Sequence, residues 1–172
     1  MAVRPILTLE HPALRQKAKR VKHFGAALQK LADDMVETMR AAPGIGLAAT
    51  QLGVMERIFV AELQDDEEDP QSGKLFILVN PEFVKIGSEE EEREEGCLSI
   101  PGYVGDVRRA TWVTVKGQDL KGREVRVKAY GLLARVFQHE MDHLDGILFI
   151  DRVDSPDKIR KVQPQEAELA TA

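Results

Sequence analysis

From Phe24 the apolar positions fall at Leu28, Leu31, Met35 and Met39, spacings of three and four that predict an amphipathic helix ending before Pro43. A glycine-punctuated loop, GIGLAATQ, then leads to a strand over residues 57–63 rich in Ile, Phe and Val. The run KLFILVNPEFVKIG reads as a strand broken at Asn80 and Pro81. In TWVTVKGQDLKGREVRVKAY, apolar and polar residues alternate on both sides of Lys121 and Gly122, the pattern of an antiparallel hairpin. Helical spacing returns in GLLARVFQHEMDHLDG, with Leu132, Val136, His139 and His143 on one inward stripe and Gly146 as the stop. Strands followed by a late buried helix make the fold class α+β: antiparallel sheets around a central histidine-bearing helix, with a second, N-terminal helix.

Charge changes this picture in three places. The segment QDDEEDPQSG, residues 64–73, reads as a solvated connection, and SEEEEREEG, residues 88–96, as a solvated face. The tail DSPDKIRKVQPQEAELATA loses apolar periodicity, so residues 1–155 are expected to form one catalytic domain and residues 156–172 a partly disordered tail. The net charge of -5 argues against broad or specific DNA binding. No apolar run approaches the roughly 20 residues that span a bilayer, and no targeting segment is visible, so a cytoplasmic protein without membrane contact is expected. A single cysteine, Cys97, fits a reducing compartment and leaves a thiol to explain.

The candidate chemistry lies in QHEMDHLDG. On a helix, His139 and His143 differ by about 40° around the axis and about 6 Å along it, so both imidazoles can meet one ion. Glu140 lies beside them as a base, the HExxH arrangement in which a metal lowers the pKa of water and the glutamate accepts the proton. The alternative is a helix with two accidental histidines, but imidazoles on an inward stripe are costly unless bonded or ligating. Two histidines leave the usual three protein ligands one short, and Cys97 in EEGCLSIPG completes a His₂Cys set with a fourth position open. His11 and His23 have basic neighbours and no ligand spacing, and read as surface or loop positions. GIGLAATQ lacks the ending of a phosphate loop; its Gly44 and Gly46 permit close approach, and Gln51 offers a neutral amide donor.

With GIGLAATQ, EGCLS and QHEMDHLDG in this order, the chain resembles the peptide deformylases over residues 3–150. The resemblance also takes in the PIL opening, the first helix and the hairpin between the second and third motifs. It implies removal of the formyl group from the initiator methionine of nascent chains. It assigns metal binding to Cys97, His139 and His143, and proton transfer to Glu140. The Gln51 amide and the Leu98 backbone N–H would face the oxyanion, while Gly44, Gly46 and Gly96 would align the peptide as a strand. Ile45, Leu133 and Val136 are the resemblance's candidates for an apolar methionine pocket.

Arg135, one turn before His139, is expected at the pocket rim against a substrate carbonyl, with a surface position as the alternative. Arg109 is expected to pair with Glu95 and brace the cysteine strand. One divalent ion is implied, Fe²⁺ in the cell, with Zn²⁺, Ni²⁺ and Co²⁺ compatible by donor type. The partner is an N-formylmethionyl peptide; a ribosome contact near the nascent chain is left open by the prolines of the tail. Two alternatives remain at this point: an amidase or peptidase of other acyl specificity, and a non-catalytic, ribosome-associated metal protein.

Overall fold

The first stripe becomes α1 (Ala26–Ala41), entered after Gly25 and turned off at Ala42. Strands β1 (Gly46–Ala48), β2 (Ile58–Glu62), β3 (Leu75–Ile86), β6 (Trp112–Gln118) and β7 (Glu124–Tyr130) form an antiparallel sheet in the order β1-β2-β3-β6-β7. A smaller sheet, in the order β4-β5-β8, contains β4 (Glu90–Gly96), β5 (Tyr103–Ala110) and β8 (Ile159–Lys161). The remaining helix, α2 (Gly131–Leu144), follows β7 directly. These elements come from a computed structural model, which describes residues 2–163.

The large sheet lies between the two helices, and β2 shows why. Its side chains alternate: Ile58 and Val60 join Leu31, Met35 and Met39 of α1, while Phe59 and Ala61 join Leu133, Phe137 and Met141 of α2. A strand covered on both faces must be apolar at every position, as IFVA is. Phe59 and Phe137 meet edge-on with ring centroids 5.3 Å apart. Each fully buried Leu, Met or Phe here contributes about 1.5–3 kcal/mol. A third cluster, with Leu14, Cys97, Ile100, Val107, Leu148 and Phe149, fills the space under the small sheet.

The hairpin forms as expected, its turn closed by Asp119 and Gly122, which has φ 81°. Elsewhere the structure corrects the reading. Asn80 and Pro81 do not break β3: the strand continues past them through a register shift between Val79 and Glu82. Asn80 sits at φ 50°, a conformation asparagine tolerates, and its side chain bonds both Val21 N (2.8 Å) and Val21 O (3.0 Å), fixing the segment before α1. The acidic run 88–96 is not merely a solvated face. It supplies β4, whose glutamates are answered by basic residues on the neighbouring strands and beyond: Glu92 by Arg108 and Lys158, Glu94 by Arg160.

Part of the tail is likewise ordered. A 3-10 turn at Pro156–Lys158 precedes β8, which pairs with β5. The rest of the expected disordered tail, residues 164–172, lies outside the described residues. His11 and His23 are exposed, as expected.

Candidate metal centre and active site

Helix α2 ends at Leu144, with Gly146 at φ 74° turning the chain away. On its inner face His139 and His143 are each 1% exposed, and their Nε2 atoms lie 3.1 Å apart. Cys97, just beyond the end of β4, places Sγ 3.2 Å from His143 Nε2. The three donor atoms lie within 4.8 Å of one another. Soft sulfur and two imidazole nitrogens converging in a dry pocket fit one transition-metal ion.

One of the two imidazoles is oriented from behind. Glu95 Oε1 lies 2.5 Å from His139 Nδ1, so this acceptor holds the proton on Nδ1 and turns Nε2 inward. Burial lowers the His139 pKa, but bonds to Cys97 and Glu95 outweigh it and leave the ring well above its usual value. His143 is driven well below its usual value by burial and by the charge of His139.

Glu95 is the centre of a buried ionic network that reaches α2 twice. Arg109 Nη2 donates to its Oε1 at 2.7 Å and Arg135 Nη1 to its Oε2 at 3.0 Å. Arg109 also reaches Asp142 Oδ2 at 2.6 Å, and Asp142 is held from the other side by Arg152. Burial pushes the Glu95 carboxyl up, but His139 and Arg109 together hold it well below the usual carboxylate range.

Next to the cluster, Glu140 is 0% exposed and neither carboxylate oxygen has a hydrogen-bond partner among the described residues. Burial pushes its pKa up to about 7, the range in which a carboxylate can both take and return a proton. Its position depends on Gly46. A β-carbon there would collide with Glu140 Oε1 and stand 2.9 Å from Val136 Cγ1. Gly44 works similarly, since a β-carbon would come within 2.7 Å of Leu98 Cδ1.

Gln51 belongs to the 3-10 turn Ala49–Leu52 that follows β1. Its Oε1 accepts from Ala48 N at 2.9 Å, and its Nε2 lies 3.1 Å from Ser99 Oγ and 3.7 Å from Cys97 Sγ. The Leu98 N–H takes no protein acceptor among the described residues.

The structure therefore brings Cys97, His139, His143, Glu140 and Gln51 together, with Leu98, Gly96, Gly46 and Gly44 at their margin. Three expectations need correction. Leu132 is not on the inward stripe; it is 44% exposed and, with Pro43 and Ile45, lines one side of a groove of about 680 Å³ whose other side is the acidic loop 64–69. Leu133, expected in the methionine pocket, is fully buried in the core between α2 and the large sheet, beside Val136 and Phe137. One residue of helix is about 100° of rotation, so Leu132 faces the groove while Leu133 faces the core. Arg135 is neither at the pocket rim nor on the surface: it is 5% exposed, and besides Glu95 it donates to Val107 O at 2.8 Å and Glu91 O at 2.8 Å.

The Arg109–Glu95 pair is present as expected. Sequence reasoning missed Ser99, Asp142 and the Glu95–His139 bond. Ser99 and Asp142 sit inside the quoted motifs, and their position next to a ligand was the available signal.

An α+β fold that joins a helix-borne histidine pair, one cysteine and a buried, unpartnered glutamate belongs to the metal-dependent hydrolases. A family model for polypeptide deformylase matches residues 3–159. The peptide deformylase of Thermomicrobium roseum is 50% identical, covering 100% of this chain and 98% of that protein, and one from Dehalococcoides mccartyi (strain CBDB1) is 45% identical over 96% and 95%. Among solved structures, peptide deformylase from Ehrlichia chaffeensis superposes with TM-score 0.85 at 37% identity, covering 91% of each chain. A class I type b peptide deformylase from Acinetobacter baumannii, crystallised with Met-Ala-Ser, gives TM-score 0.83 at 36% identity over 88% of this chain and 99% of that one. The chain belongs to the peptide deformylase family, hydrolases that remove the N-formyl group from nascent peptides.

Proposed function

We propose that this chain hydrolyses the formyl amide of N-formylmethionyl peptides using Fe²⁺ held by Cys97, His139 and His143. The observation that carries the reading is Glu140, a fully buried carboxylate with no hydrogen-bond partner among the described residues, set beside three converging metal donors. When bound, the ion supplies Lewis acidity, lowering the pKa of a water and polarising the formyl carbonyl. Glu140 takes the proton of the attacking water and delivers it to the leaving amine nitrogen, releasing formate and a free N-terminus. As the carbonyl oxygen gains charge, the Gln51 amide and the Leu98 N–H donate to it.

Gly44, Gly46 and Gly96 leave the peptide backbone room to lie as an added strand. Ile45 and Val136 contribute the apolar wall for the methionine side chain, with Leu132 in place of Leu133. Arg135 acts through Glu95 rather than on the substrate. The two sheets and both helices, with β8 at Ile159–Lys161 included, serve as one catalytic domain that extends past the expected boundary at residue 155. Formylated chains are made in the cytoplasm, which is the proposed compartment; no helix among the described residues is long and apolar enough to cross a membrane. In a contact with the ribosome near the nascent chain, Lys158 and Arg160 would exchange their surface pairings with Glu92 and Glu94 of β4 for the new partner.

The test joins metal analysis to formate release from formyl-Met peptides for the native chain and Glu140→Ala. Expected are equal metal contents and, in the variant, a loss of rate on the order of a hundredfold or more. Bound metal without formate release by the native chain would reject the reading. Metal identity is tested by exposure to air: the iron form should lose activity while the zinc form keeps it, because an iron–thiolate centre is open to oxidation. Equal persistence of the two forms would remove iron as the working ion.

A further inference from the structure

The hydroxyl of Ser99 has no place in the mechanism above, yet it is fully buried and bonded to one of the groups that does. Gln51 carries two donor hydrogens on Nε2 and one acceptor, Oε1. Its Oε1 is occupied by Ala48 N–H at 2.9 Å, which sets which end of the amide is oxygen. That single bond leaves the plane free to swing. Ser99 Oγ, 3.1 Å from Nε2, takes one of the two hydrogens and stops the swing. The second hydrogen is then directed at Cys97 Sγ, 3.7 Å from Nε2, on the metal side of the amide, where an incoming carbonyl oxygen would take it over. Ser99 also donates its backbone N–H to Cys97 Sγ at 3.4 Å, so one residue is tied to both the metal-ligand side and the oxyanion side of the site.

We infer that Ser99 is a positioning residue for deformylation: its hydroxyl fixes the Gln51 amide so that one N–H is aimed at the oxyanion of the transition state. The inference rests on the proposed role of Gln51. The two bonds of Ser99 separate cleanly by substitution, since Ser99→Ala removes the hydroxyl and keeps the backbone N–H that supports Cys97. A side chain with one atom fewer fits the same space.

The experiment is a double-mutant cycle on the metal-loaded enzyme with Ser99→Ala, Gln51→Leu and the pair, measuring kcat, KM, metal content and melting temperature. Gln51→Leu should lower kcat on the order of a hundredfold or more. Ser99→Ala should lower kcat about tenfold, as expected of a misaimed donor rather than a missing one, with KM and metal content unchanged. In the Gln51→Leu background, Ser99→Ala should cost nothing further, because there is no amide left to position. A structural role would instead reduce the rate by the same factor in both backgrounds, or would take metal content or melting temperature down with the rate; any of these overturns the inference. So does an unchanged kcat in Ser99→Ala. If Gln51→Leu itself keeps full turnover, the oxyanion assignment falls and this inference with it. A drop in Gln51→Leu alone leaves that assignment standing and rejects only Ser99.

Discussion

Helices α1 and α2 cover opposite faces of one sheet and share the strand β2 between them, yet they are built by different rules. On the α1 side, Leu28, Leu31, Met35 and Met39 close against Ile58 and Val60 in an apolar contact, and the buried polar residues of the helix, Asp34 and Thr38, are bonded by Ala2 N and Arg4 N of the N-terminal segment. On the α2 side, Phe137 and Met141 make the same kind of contact, but the adjoining face of the helix buries His139, Glu140, Asp142 and His143. Every one of those polar residues costs desolvation energy, and among the described residues all but Glu140 and the His143 Nδ1 atom recover it through bonds or ion pairs. One layer makes the fold stable, and the other accepts instability at the place where the reaction occurs.

Substitutions on the two sides should therefore act on different observables. The sharpest is Gly46→Ala. Nothing in the Gly46 backbone requires glycine by its φ, so the new methyl group acts only by pushing Glu140 and Val136. Turnover should fall about a hundredfold with metal content intact, since small displacements of a base cost that much. Full turnover would mean that Glu140 moves freely, and the close approach would lose its meaning.

Next is Glu95→Ala, which leaves the buried Arg109 and Arg135 without their shared carboxylate and His139 without its Nδ1 acceptor. Metal affinity should fall about 10- to 100-fold and stability by about 3–5 kcal/mol, read from metal titration and denaturant melts. Loss of stability with metal affinity unchanged would separate the brace from the ligand. The smallest effect on chemistry belongs to α1: Met35→Ala should cost about 2–5 kcal/mol of stability and leave kcat of the folded enzyme unchanged. A change in kcat there would break the comparison, because it would couple the apolar layer to the reaction.

Much of this division is legible in the sequence. The stripe from Phe24 to Met39, the alternation around Gly122 and the pair His139–His143 are periodic signals whose meaning does not depend on distant residues. Cys97 was legible for another reason: a three-ligand site needed a third donor, and the chain has one cysteine. What failed depends on partners far along the chain. The acidic run became a strand because Arg108, Lys158 and Arg160 meet its charges, and no local pattern announces them. Arg135 went inward because Glu95, on another element, was there to receive it. Leu132 and Leu133 were confused because both are apolar neighbours on a helix, and only the neighbouring loop decides which of them faces a groove.

The ionic network around Glu95 joins β4 and β5 of the small sheet to α2 through Arg135 and through Arg109 with Asp142. Cys97 arrives from the small sheet and the histidines from α2, so these ion pairs clamp together the two elements that carry the donors. The chelate therefore spans two layers of the fold, and whatever loosens the clamp spreads the ligands apart.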